Sequence, residues 1–197
     1  MKPAIIAMGA SWGGLSAVTT VLSGLPWDFP VPIVLVQHRS RHAENLLAPL
    51  LQEATQLRVV DVEDKEPIEP QSVYVAPANY HLLVEKDHLS LTTDPLVRHS
   101  RPSIDVMFTS AADAFRARTV GVVLTGANDD GSRGLRRIVD LGGRALVQDP
   151  DTADSRTMPV AALRSVPEAE VAQLDDIASR LVTMIGSKSK AKLGQSQ

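Results

Sequence analysis

The sequence predicts an α/β fold, in which helices cover both faces of a doubly wound, mostly parallel sheet with an antiparallel hairpin appendage. Continuous apolar runs are typical of strands that are buried on both faces of such a sheet. These runs lie in residues 4–7, 33–36, 120–124 and 145–148. Helical patterns alternate with them, and right-handed crossovers then place the strands side by side. Three short strand-like segments form the expected antiparallel appendage, at residues 72–76, 82–85 and 88–92.

The first half of the chain contains two predicted helices. In the first, apolar residues recur at helical spacing until Gly24 and Pro26 end the helix. These residues are Leu15, Val18, Leu22 and Leu25. A second apolar stripe, in residues 46–51, contains Pro49, which either kinks the helix or delays its start. Residues 58–62 then have the pattern of a short strand, and residues 63–70 that of a loop.

The second half contains four predicted helices. Ser103 has the position of an N-cap for a helix with a continuous apolar face. A glycine-bearing turn at residues 125–132 precedes the next helix, and two more helical segments follow. The last two cover residues 159–165 and 175–185. We expect a single domain over residues 1–186 and a disordered tail over residues 187–197, which lack apolar periodicity.

Composition restricts the class of protein. A hydrophobic content of 44% and a charged content of 22% are those of an ordinary globular domain. The net charge of −3 gives no basic footprint for nucleic acid. Cysteine is absent, which excludes disulfides, thiolate metal sites and a cysteine nucleophile. No apolar run approaches the roughly 18 residues of a membrane span, so we expect a cytoplasmic protein without membrane insertion.

The first glycine turn has the spacing of a nucleophile elbow, Gly9-x-Ser11-x-Gly13, directly after the first apolar run. In such an elbow a serine stands on a sharp turn between a strand and a helix. Two other interpretations remain open from the pattern alone. The segment has also the form of an ordinary strand-to-helix turn, or of a phosphate-binding turn at a helix N-terminus.

Three predicted strand ends carry reactive side chains. Ser11 follows the first strand, His38 the second, and the Asp129-Asp130 pair the strand at residues 120–124. Ligands of open α/β sheets bind at the carboxyl ends of the strands, so these side chains are expected at one edge. Together they are the parts of a hydrolytic triad. Taken singly, Ser11 and Asp130 could instead be helix caps and His38 a structural residue.

Several motifs, in order along almost the whole chain, resemble the catalytic domain of CheB, the chemotaxis protein-glutamate methylesterase. They are Gly9-Ala10-Ser11-Trp12-Gly13-Gly14, Val36-Gln37-His38, Val75-Ala76-Pro77 with His81, Arg101-Pro102-Ser103-Ile104-Asp105-Val106, Leu124-Thr125-Gly126 with Asp130-Gly131, and Gln148-Asp149-Pro150 with Met158-Pro159. The resemblance implies hydrolysis of glutamate γ-methyl esters on chemoreceptors with release of methanol, and deamidation of receptor glutamines. It implies no metal or organic cofactor.

The same resemblance assigns roles to residues. It places the catalytic serine, histidine and aspartate on Ser11, His38 and Asp130, and Asp129 becomes a neighbour whose charge could raise one carboxyl pKa. It also implies an oxyanion hole and pocket near the second glycine turn and beside the nucleophile. The candidates are Ala127, through its backbone amide, Gly126 and Trp12. Candidate contacts to an acidic receptor helix are Arg98, His99, Arg101 and His81.

The sequence departs from the family pattern at three points. Trp12 replaces a common threonine and adds bulk beside the nucleophile, and Ala127 replaces a methionine. The first strand begins close to Met1, so we expect either a stand-alone form without the family's usual N-terminal receiver domain or a chain cut at the boundary of that domain. A separate receiver or chemosensory protein is therefore a further candidate partner. Two other functions stay open: a phosphate- or nucleotide-binding domain, and a non-enzymatic or weakly active chemosensory interaction module.

Overall fold

A computed structural model describes residues 4–40 and 46–186. The helices are α1 (Gly14–Ser23), α2 (Leu47–Gln52), α3 (Ile104–Phe115), α4 (Ser132–Asp140), α5 (Thr157–Ser165) and α6 (Ile177–Ile185). The strands are β1 (Ile5–Ala10), β2 (Ile33–Gln37), β3 (Arg58–Asp61), β4 (Glu66–Pro67), β5 (Ser72–Val75), β6 (His81–Val84), β7 (His88–Thr92), β8 (Thr119–Val123), β9 (Arg144–Gln148) and β10 (Glu170–Ala172). Within these ranges, no helix is long and apolar enough to cross a bilayer.

Seven parallel strands form the main sheet, in the order β10-β9-β8-β1-β2-β5-β3. Strand β1 is central, because it pairs with β2 on one side and with β8 on the other. The chain extends the sheet in one direction from β1 to β3 and later in the other from β8 to β10. The topological switch therefore lies at β1, and the carboxyl ends of β1, β2 and β8 meet there. This is the edge at which open α/β sheets bind ligands.

Two apolar layers enclose the main sheet. Alternate residues of β1 point to opposite faces, as a strand requires, so Ile6 and Met8 enter one layer while Ile5 and Ala7 enter the other. The first layer includes buried residues of α1, α2 and α6. The second includes buried residues of α3, α4 and α5. Both faces of the sheet are thus covered, which explains why its strands are continuous apolar runs.

The predicted fold class is confirmed, and one strand assignment within it is wrong. Residues 72–75 do not belong to the antiparallel appendage, because β5 lies in the parallel sheet between β2 and β3. The appendage is instead a three-stranded antiparallel sheet in the order β4-β7-β6. Strand β4 lies in the segment that the sequence predicted as a loop, and the edge strand β10 was missed.

The six helices lie where the sequence predicted them, and two details differ or are now resolved. Helix α2 starts at Leu47, so Pro49 lies in its first turn, where the missing amide hydrogen costs little. In α1, Leu15 faces outward rather than into the core. The predicted tail at residues 187–197 lies outside the described residues.

Candidate active site

Ser11 lies in the turn between β1 and α1, at the carboxyl end of the central strand. The turn needs glycine at position 13, whose φ of 75° is in the left-handed region. Two backbone hydrogen bonds fix Ser11: its N–H donates to the Thr125 carbonyl at 2.9 Å, and its carbonyl accepts from the Gly14 N–H at 2.9 Å. Gln37 adds a third, from Nε2 to the same carbonyl at 2.7 Å.

His38 follows β2 and lies beside this turn, because its backbone N–H donates to the Ala10 carbonyl at 3.0 Å. Its side-chain Nε2 lies 2.9 Å from Oδ2 of Asp130. A carboxylate can only accept hydrogen bonds, so Nε2 carries a hydrogen, and in the neutral imidazole Nδ1 has the acceptor lone pair. This is the tautomer that a general base requires when an aspartate orients it.

The Asp130 carboxylate is buried and accepts five hydrogen bonds. Its Oδ2 accepts from His38 and from the Ile104 N–H at 2.8 Å. Its Oδ1 accepts at 3.0 Å from the Ser103 hydroxyl and from the backbone N–H groups of Asp105 and Gly131. Four of the five donors belong to residues 103–105 and 131 and not to His38, so the carboxylate is held at the start of α3 independently of the imidazole.

Hydrogen bonding decides the charge of Asp130. Burial acts to raise the pKa of its carboxyl, but hydrogen bonds from His38 and from the amides of Asp105 and Ile104 outweigh it, so the pKa is lowered. The neighbouring Asp129 carboxyl also has a lowered pKa, because the Arg98 guanidinium hydrogen-bonds to it. The repulsion expected between the adjacent carboxylates therefore raises neither pKa. Both groups are ionised at neutral pH.

An open groove of about 540 Å³ brings Ser11 and His38 together with Trp12, Leu15 and Ala127. Among residues 4–40 and 46–186, no group accepts a hydrogen bond from the Ser11 hydroxyl. In the same part of the chain, the backbone N–H groups of Trp12 and Ala127 have no acceptor either. A nucleophile, a base and two unpaired amides thus line one groove.

The remaining pocket candidates differ in position. Trp12 is 71% exposed, so its indole stands out from the groove instead of filling it. Gly126 is not an oxyanion donor as the sequence suggested, because its N–H donates to the Ser155 carbonyl at 3.2 Å. Its role is steric: a Cβ at this position would lie 2.9 Å from the Cβ of Ser11. Gly126 therefore lets the two turns approach each other.

Thr125 ties these two turns together. Its hydroxyl donates to the Trp12 carbonyl at 2.9 Å and accepts from the Ser155 N–H at the same distance. Its own N–H donates to Oε1 of Gln148 at 2.8 Å. The turn after β8 is thereby braced against the turn after β1.

Of the four candidate substrate contacts, His81 is a buried residue. It is 1% exposed, its Nε2 lies 3.1 Å from the Pro95 carbonyl, and its Nδ1 accepts from the Ser103 N–H. Arg98 forms an ion pair with Asp129. Arg101 braces its own loop, through Asn79 and backbone carbonyls. Both Arg101 and His99 nevertheless line a cavity of about 190 Å³ that also contains His38.

Asn128 is part of the site, although the sequence analysis did not select it. Its Oδ1 accepts from the Asp130 N–H at 3.1 Å, and its Nδ2 lies 3.4 Å from Nδ1 of His38. An asparagine whose Oδ1 accepts from the backbone N–H two residues later forms an Asx turn. Asparagine favours such turns, so the sequence did contain a signal for this contact.

Among the described residues, no group of three or more His, Asp or Glu side chains is arranged to hold a metal ion.

The family model for CheB methylesterase matches residues 6–181. The chain belongs to the CheB methylesterase family. A protein from Leptospira interrogans, named a putative protein-glutamate methylesterase/protein-glutamine glutaminase, is 41% identical over 180 residues, 91% of this chain and 93% of that protein. The protein-glutamate methylesterase FrzG of Myxococcus xanthus is 39% identical over 182 residues, 92% of this chain and 54% of FrzG.

The structure of the CheB methylesterase catalytic domain from Thermotoga maritima superposes with a TM-score of 0.89. It shares 29% sequence identity, and the match covers 93% of this chain and all of that domain. The family predicted from the sequence motifs is therefore confirmed, together with the fold and the methylesterase class of activity.

Proposed function

We propose that this chain hydrolyses γ-methyl esters of glutamate side chains on the cytoplasmic helices of chemoreceptors, with Ser11 as nucleophile, His38 as base and Asp130 as the orienting acid. The observation that carries the assignment is the 2.9 Å contact between His38 Nε2 and Asp130 Oδ2, beside the groove that contains Ser11. The methylesterase names of the relatives supply the substrate class.

The first half-reaction forms an acyl-enzyme. Nδ1 of His38 takes the proton of the Ser11 hydroxyl as Oγ attacks the ester carbonyl carbon. The negative charge on the carbonyl oxygen is stabilised by the unpaired amides of Ala127 and Trp12. The imidazolium is stabilised by Asp130 and returns its proton to the methoxy oxygen. Methanol leaves, and the glutamyl group stays esterified to Ser11.

The second half-reaction reverses these roles. His38 takes a proton from water, and the hydroxide attacks the acyl carbon. Collapse of the tetrahedral intermediate breaks the bond to Oγ, and His38 returns the proton to Ser11. One water is consumed, and one glutamate and one methanol are produced. With a glutamine substrate the same steps release ammonia, which is the deamidation named for several relatives.

The site supports the other two candidate functions less well. A phosphate at the N-terminus of α1 would meet the carboxylate of Asp154, which packs directly against Gly13. Two negative charges there oppose phosphate or nucleotide binding. A non-enzymatic module would not need a buried, hydrogen-bonded acid against the imidazole. The His38–Asp130 arrangement favours turnover.

Methanol release from a methylated receptor tests the proposal. Ser11→Ala is expected to lower kcat by about 10⁴- to 10⁶-fold, as in other serine hydrolases whose nucleophile is removed. Ser23→Ala, at the exposed C-terminal end of the helix α1 that follows Ser11, is the control and keeps wild-type activity. Near-normal methanol release from Ser11→Ala would contradict the proposed mechanism.

A covalent probe separates the enzyme from a binding module. A sulfonyl fluoride is expected to modify Ser11 in the wild type but not in Ser11→Ala. Tight binding of a nucleotide, with no adduct at Ser11, would instead support the phosphate-binding function.

A further inference from the structure

The side chain of Asn128 connects the catalytic aspartate to the catalytic histidine. Its Oδ1 accepts a hydrogen bond from the backbone N–H of Asp130 at 3.1 Å. A backbone amide can only donate, so this contact fixes which end of the Asn128 amide faces Asp130. The other end, Nδ2, then faces Nδ1 of His38 at 3.4 Å. The orientation of the amide follows from the hydrogen bonds and needs no further assumption.

The contact falls on the nitrogen that does the chemistry. Because Nε2 of His38 donates to Asp130, Nδ1 carries the lone pair and accepts from the Asn128 N–H. In the mechanism above, Nδ1 is also the atom that takes the proton of Ser11. When Nδ1 is protonated, its hydrogen points at the amide hydrogens of Asn128. Two donors then face each other, and the hydrogen bond is lost.

We propose that Asn128 is a positioning residue that holds His38 as a neutral base: its amide donates to Nδ1 until the Ser11 hydroxyl takes its place there during attack. The proposal rests on the proposed function in one respect, the role of Nδ1 as the base. Asn128 favours the unprotonated imidazole, because its N–H can donate only to an Nδ1 that carries no hydrogen. The enzyme therefore stays active at lower pH than it would without the amide.

Several charged groups around His38 also influence its protonation. Asp130 contacts Nε2, and Asp129 lies in the same turn, paired with Arg98. Arg39, His99 and Arg101 line the small cavity of about 190 Å³ together with His38. A neutral substitution at position 128 leaves all of these in place, so a change in the titration of His38 reports the amide itself.

Asn128→Ser is the main test. A serine hydroxyl can still accept from the Asp130 N–H in a turn of the same kind, but it is too short to reach the imidazole. The readouts are the NMR titration of the His38 ring and the pH dependence of Ser11 modification by a sulfonyl fluoride. Losing one ordinary hydrogen bond should raise both midpoints by about 0.4 to 1 pH unit. At high pH the modification rate should remain within about threefold of wild type, since neutral His38 no longer depends on Asn128.

Asn128→Asp is the second variant and covers the case in which the serine variant does not fold. The aspartate keeps the acceptor for the Asp130 N–H but replaces the donor with an acceptor, which stabilises a protonated Nδ1. We expect both midpoints to rise by more than about one pH unit, because a charge-assisted hydrogen bond replaces a lost one. Asp129→Asn, in the same turn, is the control: it removes a nearby negative charge and should shift the midpoints down.

The outcomes are distinct. Unchanged titration midpoints in both variants would overturn the proposal. A modification rate at high pH more than about 100-fold below wild type, with an unchanged midpoint, would also overturn it, because Asn128 would then act in transition-state stabilisation or in the fold. The NMR titration needs no substrate. If wild-type Ser11 is not modified at all, the proposed function fails, while the effect of Asn128 on His38 remains measurable.

Discussion

The carboxylates of Asp105 and Asp130 form reciprocal hydrogen bonds with the first turns of helices α3 and α4. Asp130, just before α4, accepts from the N–H groups of Ile104 and Asp105 in the first turn of α3. Asp105, in that turn, accepts from the N–H of Gly134 in α4 at 2.8 Å. The N-terminus of a helix favours negative charge. This exchange joins the two helices and fixes the carboxylate that orients His38.

The exchange predicts a severe effect of Asp130→Asn. All five groups that contact the carboxylate are donors, so an amide nitrogen in place of one oxygen must face at least two of them. His38 would then lose its preferred tautomer, and kcat should fall by about 10⁴-fold. The free energy of unfolding should fall by about 1 to 3 kcal/mol. Enzyme assays and urea denaturation measure both.

The neighbouring Asp129→Asn is the matched control for that variant. Asp129 is exposed, and its partner is Arg98 at the surface, so activity should stay within a few-fold of wild type. If Asp129→Asn were as inactive as Asp130→Asn, the assignment of the triad acid would be wrong.

Asp105 predicts a pH-dependent effect on stability. Burial raises the pKa of its carboxyl, and the hydrogen bond from Gly134 opposes the rise without cancelling it. A carboxyl whose pKa is higher in the folded state than in the unfolded state destabilises the fold as pH rises from about 4 through the folded-state value. Asp105→Asn keeps an acceptor for Gly134 and removes this loss. Its stability relative to wild type should therefore increase between pH 4 and pH 7.

Urea denaturation midpoints at several pH values in that range measure the difference. A stability difference that decreases with rising pH would show that ionised Asp105 stabilises the fold, contrary to the prediction.

The pH dependence of turnover should come from the imidazole. The lowered pKa of Asp130 keeps this carboxylate ionised well below the range in which histidine titrates. The fall in activity on acidification should therefore come from protonation of the imidazole base and not from loss of the Asp130 charge. A kcat/KM profile on methylated receptor would show one acid limb. A flat profile from about pH 5 to 8 would argue against His38 as the base.

The sequence predicted the triad because each of its members follows a buried strand, and strand ends are visible as the ends of apolar runs. It could not assign residues 72–75 to the parallel sheet, since the partners of β5 are β2 and β3 and a short apolar run does not specify its partner. Asn128 was missed and the burial of His81 was not foreseen for a related reason. Their roles depend on which way a side chain points within a turn, and residue type alone does not determine that direction.

Trp12 is the departure from the family pattern with the clearest expected effect on substrate binding. Its indole is 71% exposed and borders the groove with Ser11, while its carbonyl accepts from Thr125 and is unaffected by side-chain changes. Trp12→Ala should change stability by less than about 0.5 kcal/mol. If the indole packs on the receptor helix, KM should rise about fivefold, the effect of losing roughly 1 kcal/mol of aromatic contact.

Trp27→Ala is the control for Trp12→Ala, because Trp27 is 65% exposed but lines a separate cavity with Pro26 and Ala54. It should leave KM unchanged. Modification of Ser11 by a small sulfonyl fluoride should be the same in both variants and in wild type, since neither substitution removes a partner of the His38–Asp130 pair. A lower KM or a higher kcat in Trp12→Ala would show the opposite role, in which the indole obstructs access to the nucleophile.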